Sequence, residues 1–168
     1  NSNGLTIQAP AGQASSPAYA FKITQDKVLA NNDDAGVTYS GPGWSHQANR
    51  GLGDSNNNIH ATTNNGDSAS YTFTGTGIQY ITETYSDEGN VAVYIDGTLQ
   101  QTVNASSSSR QAQVVLYQNL NLSAGQHTIK LVKMSGSFML VDAFKVISGT
   151  TTTSHVKIVN RNSGKLLD

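Results

Sequence analysis

The sequence contains no cysteine, which excludes both a disulfide framework and a thiolate-ligated metal site. Charge is scarce as well. Only 12% of the residues are Asp, Glu, Lys or Arg, against about a quarter in an average soluble domain. The formal net charge of -1 leaves out the electrostatic footprint that a nucleic-acid or anionic-membrane binder carries. Aromatic residues make up 7% of the chain and include a single tryptophan, Trp44, so ring platforms for stacking are few. No apolar run approaches the ~20 residues needed to cross a bilayer. What fills the polar positions is Asn, Ser, Thr, Gly and Gln. A polar but uncharged surface suits a polar, uncharged partner, and neutral glycans fit that balance better than phosphates do.

The 168 residues correspond to about one domain and suffice for one sizeable core. Residues 1–17 hold one short apolar run, Leu5-Thr-Ile-Gln, within Gly/Ala/Ser/Pro-rich sequence and read as a linker or the end of a preceding module. Residues 148–154, Ser-Gly-Thr-Thr-Thr-Thr-Ser, form a low-complexity joint without an apolar anchor. The body is therefore expected at 18–147, within the usual domain range.

Within that body apolar residues recur with a period of two. Ala69, Tyr71 and Phe73 alternate with Ser70, Thr72 and Thr74; Gly75-Thr-Gly77 breaks the run, and Ile78, Tyr80 and Thr82 continue against Gln79, Ile81 and Glu83. The two glycines are read as supplying the backbone freedom for one strand to leave and the next to begin. Val91, Val93 and Ile95 form a strand that ends at Asp96-Gly97, the strongest hairpin signal in the chain, with residues 99–103 as its partner. Further strands are expected at 113–117, 127–133 and 138–147. No segment has helical spacing. An antiparallel β-sandwich or jelly roll buries so many short strands joined by polar turns.

Several side chains are candidates for recognition chemistry. Trp44, in Gly-Pro-Gly-Trp-Ser-His, either stacks on a sugar ring with His46 beside it or anchors the sandwich edge. Tyr85 precedes Ser86-Asp-Glu-Gly-Asn90, where an aromatic face beside the acceptors Asp87, Glu88 and Asn90 has the composition of a sugar subsite. The Asn- and Gly-rich segment 49–58, with Arg50 and Asp54, is a second rim or a plain surface loop. Glycoside hydrolysis needs two carboxyl groups flanking one bond, and the adjacent Asp87 and Glu88 do not meet that need. His46, His60, His127 and His155 show no metal-ligand spacing, and His127 reads as a satisfied residue on a strand edge.

The series Val37-Thr-Tyr-Ser-Gly, Gly43-Trp44, Ile59-His60-Ala-Thr-Thr, Gly66-Asp-Ser-Ala-Ser-Tyr-Thr-Phe-Thr-Gly-Thr-Gly-Ile78, Val93-Tyr-Ile-Asp-Gly97, Gly125-Gln-His-Thr-Ile-Lys-Leu131 and Val141-Asp-Ala-Phe144 resembles the galactose-binding-like jelly rolls. Many of these are non-catalytic carbohydrate-binding modules of secreted glycoside hydrolases. The resemblance implies such a module, secreted and monomeric, that docks an attached hydrolase onto a neutral plant or microbial polysaccharide and binds neither nucleic acid nor membrane. The alternative is a structural spacer that packs on a catalytic domain and has no sugar site. Relatives often hold a structural calcium against an Asp in the last strand, which is similar to Asp142. Asp33, in the oxygen-rich Asn31-Asn-Asp-Asp34, would be a second ligand. This chain lacks the usual pair of Glu residues on the first strand, and a buried Asp142 bonded to backbone amides is the other reading. Finally, His155-Val-Lys-Ile-Val-Asn-Arg-Asn-Ser-Gly-Lys-Leu-Leu-Asp168 resembles the start of a ricin-type β-trefoil lectin, so 155–168 is expected to be the truncated opening of a flanking sugar-binding domain.

Overall fold

The computed structural model describes residues 27–148. The expected linker at 1–17, nearly all of the joint at 148–154 and the trefoil start at 155–168 lie outside the described residues. Within them the chain forms twelve strands: β1 (Lys27–Asn31), β2 (Val37–Ser40), β3 (Trp44–Ala48), β4 (Asn58–Thr62), β5 (Ser68–Gly75), β6 (Gly77–Thr84), β7 (Asn90–Ile95), β8 (Thr98–Asn104), β9 (Gln111–Asn119), β10 (Gly125–Lys133), β11 (Met139–Val141) and β12 (Ala143–Ile147). One short 3-10 turn, Ser55–Asn57, is the only helical element among the described residues. No helix there is long and apolar enough to cross a membrane.

A five-stranded sheet in the order β2-β5-β10-β7-β8 faces a layer made of a four-stranded sheet, β1-β12-β6-β9, and a three-stranded one, β11-β4-β3. Every paired strand runs antiparallel. The core follows from the period of two. Phe73, Ile129, Leu131, Val91 and Val93 from the five-stranded sheet meet Ile78, Tyr80, Met139, Val141, Phe144 and Val146 from the opposite layer. Alternation along each strand sends one set of side chains inward and the other outward. The all-β antiparallel sandwich expected from the sequence is the observed fold.

Three local readings need correction. The expected strand at 138–147 is two strands in different sheets, β11 and β12, separated by Asp142. Gly75 and Gly77 do not adopt positive φ. They are small because backbone comes close: a Cβ on Gly75 would lie 2.5 Å from the Ile147 carbonyl oxygen, and one on Gly77 would lie 2.8 Å from that of Asn119. His127 is satisfied, by Asp96 Oδ2 at 2.7 Å and the Ser123 carbonyl at 2.8 Å, but β10 is the middle strand of its sheet and not an edge. The Asp96-Gly97 hairpin is as expected, with φ of 51° and 79° at the two turn residues, the left-handed pair that a two-residue turn of this twist requires.

Candidate functional site

Glu83 organises the outer face of the β11-β4-β3 and β6-β9 layer. Tyr80 of β6 points into the core, so alternation turns Ile81 and Glu83 outward. Glu83 is nevertheless only 2% exposed, because two arginines close over it. Arg50 Nη2 donates to Oε2 at 2.8 Å, and Arg110 Nη1 is ion-paired with Oε1. Arg50 also lies 3.2 Å from Asp54 Oδ2 through its Nε, without the alignment of a hydrogen bond. The Arg110 guanidinium sits 4.3 Å above the centroid of the Tyr85 ring, a cation-π arrangement. Its bond to Glu83 raises its pKa further above the usual arginine value.

Beside this ion network lies a cavity of about 100 Å³ with Gln47, Arg50, Glu83, Asp87 and Arg110 on its polar side and Ala61, Phe138 and Leu140 on its apolar side. The apolar part belongs to a second, smaller hydrophobic cluster of Ile59, Ala61 and Leu140, against which Phe138 packs. Among the described residues, the buried side-chain polar atoms without a partner are Arg50 Nη1, both oxygens of Asp54 and one of Glu88. All belong to this network or its border. Burial, reinforced by the charges of Glu83 and Asp87, pushes the Glu88 carboxyl up to about 9, so it is neutral at pH 7. Burial likewise pushes Asp142 up to about 7, against the opposing hydrogen bond from Ser55 N–H.

The loop that presents Tyr85 and Asp87 is tied down on both sides. The Asp87 carbonyl accepts from Ser137 N–H at 2.7 Å and Phe138 N–H at 3.2 Å; the Tyr85 carbonyl accepts from Ser107 N–H at 3.1 Å. Gly89 and Gly136 meet back to back: a Cβ on Gly89 would lie 2.6 Å from the Gly136 nitrogen, and one on Gly136 would lie 2.5 Å from the Gly89 nitrogen.

The expected site residues separate into two groups. Arg50 and Asp87 line the cavity, and Tyr85 adjoins it through Arg110. Glu88 is buried beneath the loop at 4% exposure. Asn90 is exposed at the start of β7, with its backbone bonded to Met134 and Ser135. Trp44 and His46 lie on the other face of β3 from Gln47, because strand neighbours alternate. Trp44 is half-buried, packs on the core with its ring 4.6 Å from Tyr39, and donates from Nε1 to the Ser40 carbonyl at 3.2 Å. The segment 49–58 is anchored by Ser55 N–H, which donates to Asp142 Oδ1 at 2.9 Å, and by Arg50.

The two expected calcium ligands, Asp33 and Asp142, lie in different surroundings. Asp142 is fully buried, with its carboxylate taken up by Ser55 N–H and the Gln113 amide, while exposed Asp33 accepts from Asn58 Nδ2 at 2.9 Å. No trio of His, Asp or Glu suited to a metal ion occurs among the described residues. A calcium ion needs six to eight oxygens, whereas the partners of the Asp142 carboxylate are N–H donors. Gln47, Glu83, Arg110 and Phe138 are site residues that sequence reasoning missed. They come from four separated segments, and only the unusual outward-facing Glu83 within an apolar strand was a local signal.

No family model matches the chain. It is 29% identical over 154 residues to an A type blood α-D-galactosamine galactosaminidase from Flavonifractor plautii, which covers 92% of this chain and 13% of that protein. The chain thus spans about an eighth of the length of the curated relative it matches. The fold resembles the CBM36-1 domain of a multidomain xylanase from the hindgut metagenome of Trinervitermes trinervoides, with 22% identity, 74% of this chain and 98% of that one covered, and a TM-score of 0.50. It also resembles a family 35 carbohydrate-binding module from an environmental isolate, with 16% identity, 73% and 93% coverage, and a TM-score of 0.57.

Proposed function

We propose that this sandwich is a non-catalytic carbohydrate-binding module, secreted as part of a glycoside hydrolase, and that it holds sugar in the cavity beside Glu83. One observation carries this reading: hydroxyl-binding donors and acceptors of Gln47, Arg50, Asp87 and Arg110 surround an apolar wall of Phe138 and Leu140. A sugar ring offers a matching apolar face and a rim of hydroxyls. The likeness in fold to carbohydrate-binding modules and in sequence to a galactosaminidase supports the same reading. Catalysis is disfavoured because Glu83 is neutralised by two guanidinium groups and Glu88 is buried, which leaves Asp87 without a carboxyl partner across a glycosidic bond.

A shallow polar site gains about 1 kcal/mol per net hydrogen bond, so affinity should fall near 10⁻³ to 10⁻⁵ M, roughly 4 to 7 kcal/mol. Affinity electrophoresis against xylan, arabinan, galactan, mannan, β-glucan and glycans ending in α-linked galactosamine provides the test. Retardation by at least one glycan, reduced about tenfold in Asp87→Ala, is the expected result. Retardation by none, with the fold intact, favours the spacer reading, and sugar release favours an enzyme. The spacer reading draws on one observation: the single tryptophan is engaged by Tyr39 and Ser40 and so is not an open stacking platform.

A further inference from the structure

The face of β3 turned away from the cavity carries its own chemistry. His46 and His60 are direct partners in the β3–β4 register, with ring centroids 4.9 Å apart and planes at 42°. His46 is exposed, and its ring has no hydrogen-bond partner among the described residues. His60 is half-buried and fixed, since Tyr39 stacks on it at 4.2 Å with planes only 17° apart. Its Nδ1 lies 2.6 Å from Asn32 Oδ1.

The hydrogen-bond network determines which ring nitrogen of His60 carries the proton. Asn32 is fully buried, and its Nδ2 faces three acceptors: Asn31 Oδ1 at 2.9 Å, Asn58 Oδ1 at 2.6 Å and the Asn58 carbonyl at 3.1 Å. The other end of that amide is therefore the oxygen, an acceptor, and His60 Nδ1 must be the donor. In a neutral imidazole the lone pair then resides on Nε2. Burial, with a smaller effect of His46, lowers the His60 pKa against the opposing charge of Asp33. A histidine with Nδ1–H held by a carbonyl oxygen and Nε2 unprotonated has the arrangement found in metal-ligating histidines, where the outer partner sets the tautomer and ring angle.

We propose that His46 and His60 form a cross-strand two-imidazole site for a divalent first-row transition-metal ion, with Cu²⁺ bound most tightly. Imidazole nitrogen suits Cu, Zn and Ni, and Cu²⁺ stands at the top of the affinity order for a given set of nitrogen ligands. No third His, Asp or Glu completes a metal-binding group among the described residues. Asp33 acts on His60 only through its charge, and its carboxylate already accepts from Asn58. Water fills the remaining positions, which makes the site open and exchangeable. It is independent of the sugar cavity, because Gln47 and His46 point to opposite faces of β3.

Trp44 provides the readout. It is the only tryptophan in the sequence, it shares the His46 face, and its ring lies 4.6 Å from the Tyr39 ring that stacks on His60. Titration of the full chain with CuCl₂ at pH 7.5 should quench Trp44 fluorescence saturably at one equivalent. His46→Ala, a change at an exposed residue, should weaken the response at least tenfold, whereas His155→Ala should leave it unchanged. Ring nitrogen NMR signals of His46 and His60, but not of His127, should broaden first as Cu²⁺ is added. Equal quenching in His46→Ala, loss of quenching in His155→Ala, or broadening at His127 first would each overturn the site. Glycan retardation should persist in His46→Ala, so failure of this site and of the sugar site are separately visible.

Discussion

Glu83 is a carboxylate shared by two guanidinium groups at a nearly dry position. Removing the charges from water is costly, and the arrangement holds because each oxygen of Glu83 has its own cationic partner. Breaking such a network from one side leaves its partners unpaired. Glu83→Gln should therefore destabilise the domain by about 3 kcal/mol, the low end for a buried pair because the Arg110 side chain keeps 33% of its exposure. Urea unfolding checks this, and a loss below about 1 kcal/mol would mean that solvent already screens the network. At the same scale, the asparagine at position 32 does more than fill space. Its amide direction sets the tautomer of His60 and so decides which ring nitrogen carries the lone pair.

Among the elements, the loop of residues 85–89 depends on its contact with residues 134–138. Ser137 and Phe138 N–H groups bond the Asp87 carbonyl, and the paired glycines allow the two backbones to touch. Gly89→Ala would place its Cβ 2.6 Å from the backbone of Ser135 and Gly136, so one loop must move. Overpacking of this kind costs about 1–3 kcal/mol. The melting temperature should fall, and glycan affinity should fall more than in a Gly97→Ala control at the remote hairpin, where the added Cβ meets no neighbour and only the positive φ is strained. Equal affinity in both variants would show that the loop does not position Asp87.

For the whole molecule, burial of acids makes stability depend on pH. Glu88 and Asp142 have folded pKa values of about 9 and about 7, above ordinary values of 4.5 and 3.8. The folded state thus holds protons that the unfolded chain releases. Their contribution is complete below about pH 4 and is lost as pH rises, through about 7 for Asp142 and about 9 for Glu88. Thermal melts should show stability declining from pH 6 to pH 10, and Glu88→Gln should flatten the part above pH 7. An unchanged slope in that variant would show that Glu88 titrates as an ordinary carboxylate.

The sandwich was legible in the sequence because inward and outward side chains alternate along Ala69–Phe73, Val91–Ile95 and Ile129–Leu131, and because Asp96-Gly97 supplies the left-handed turn that its hairpin needs. Those are local properties, set by chirality and the two-residue repeat of an extended chain. The cavity was legible only in fragments. Arg50 and Asp87 were picked out by residue type, but Gln47, Glu83, Arg110 and Phe138 meet them through strand pairings that span most of the described chain. Trp44 and His46 follow one another closely in sequence with Gln47, yet the pleat turns them from that cavity toward Tyr39 and His60. Proximity along the chain decides the turns and the strand faces. Proximity in space, which decides the ion network, the pKa values and the paired imidazoles, follows from the register of distant strands, and only tertiary packing selects that register.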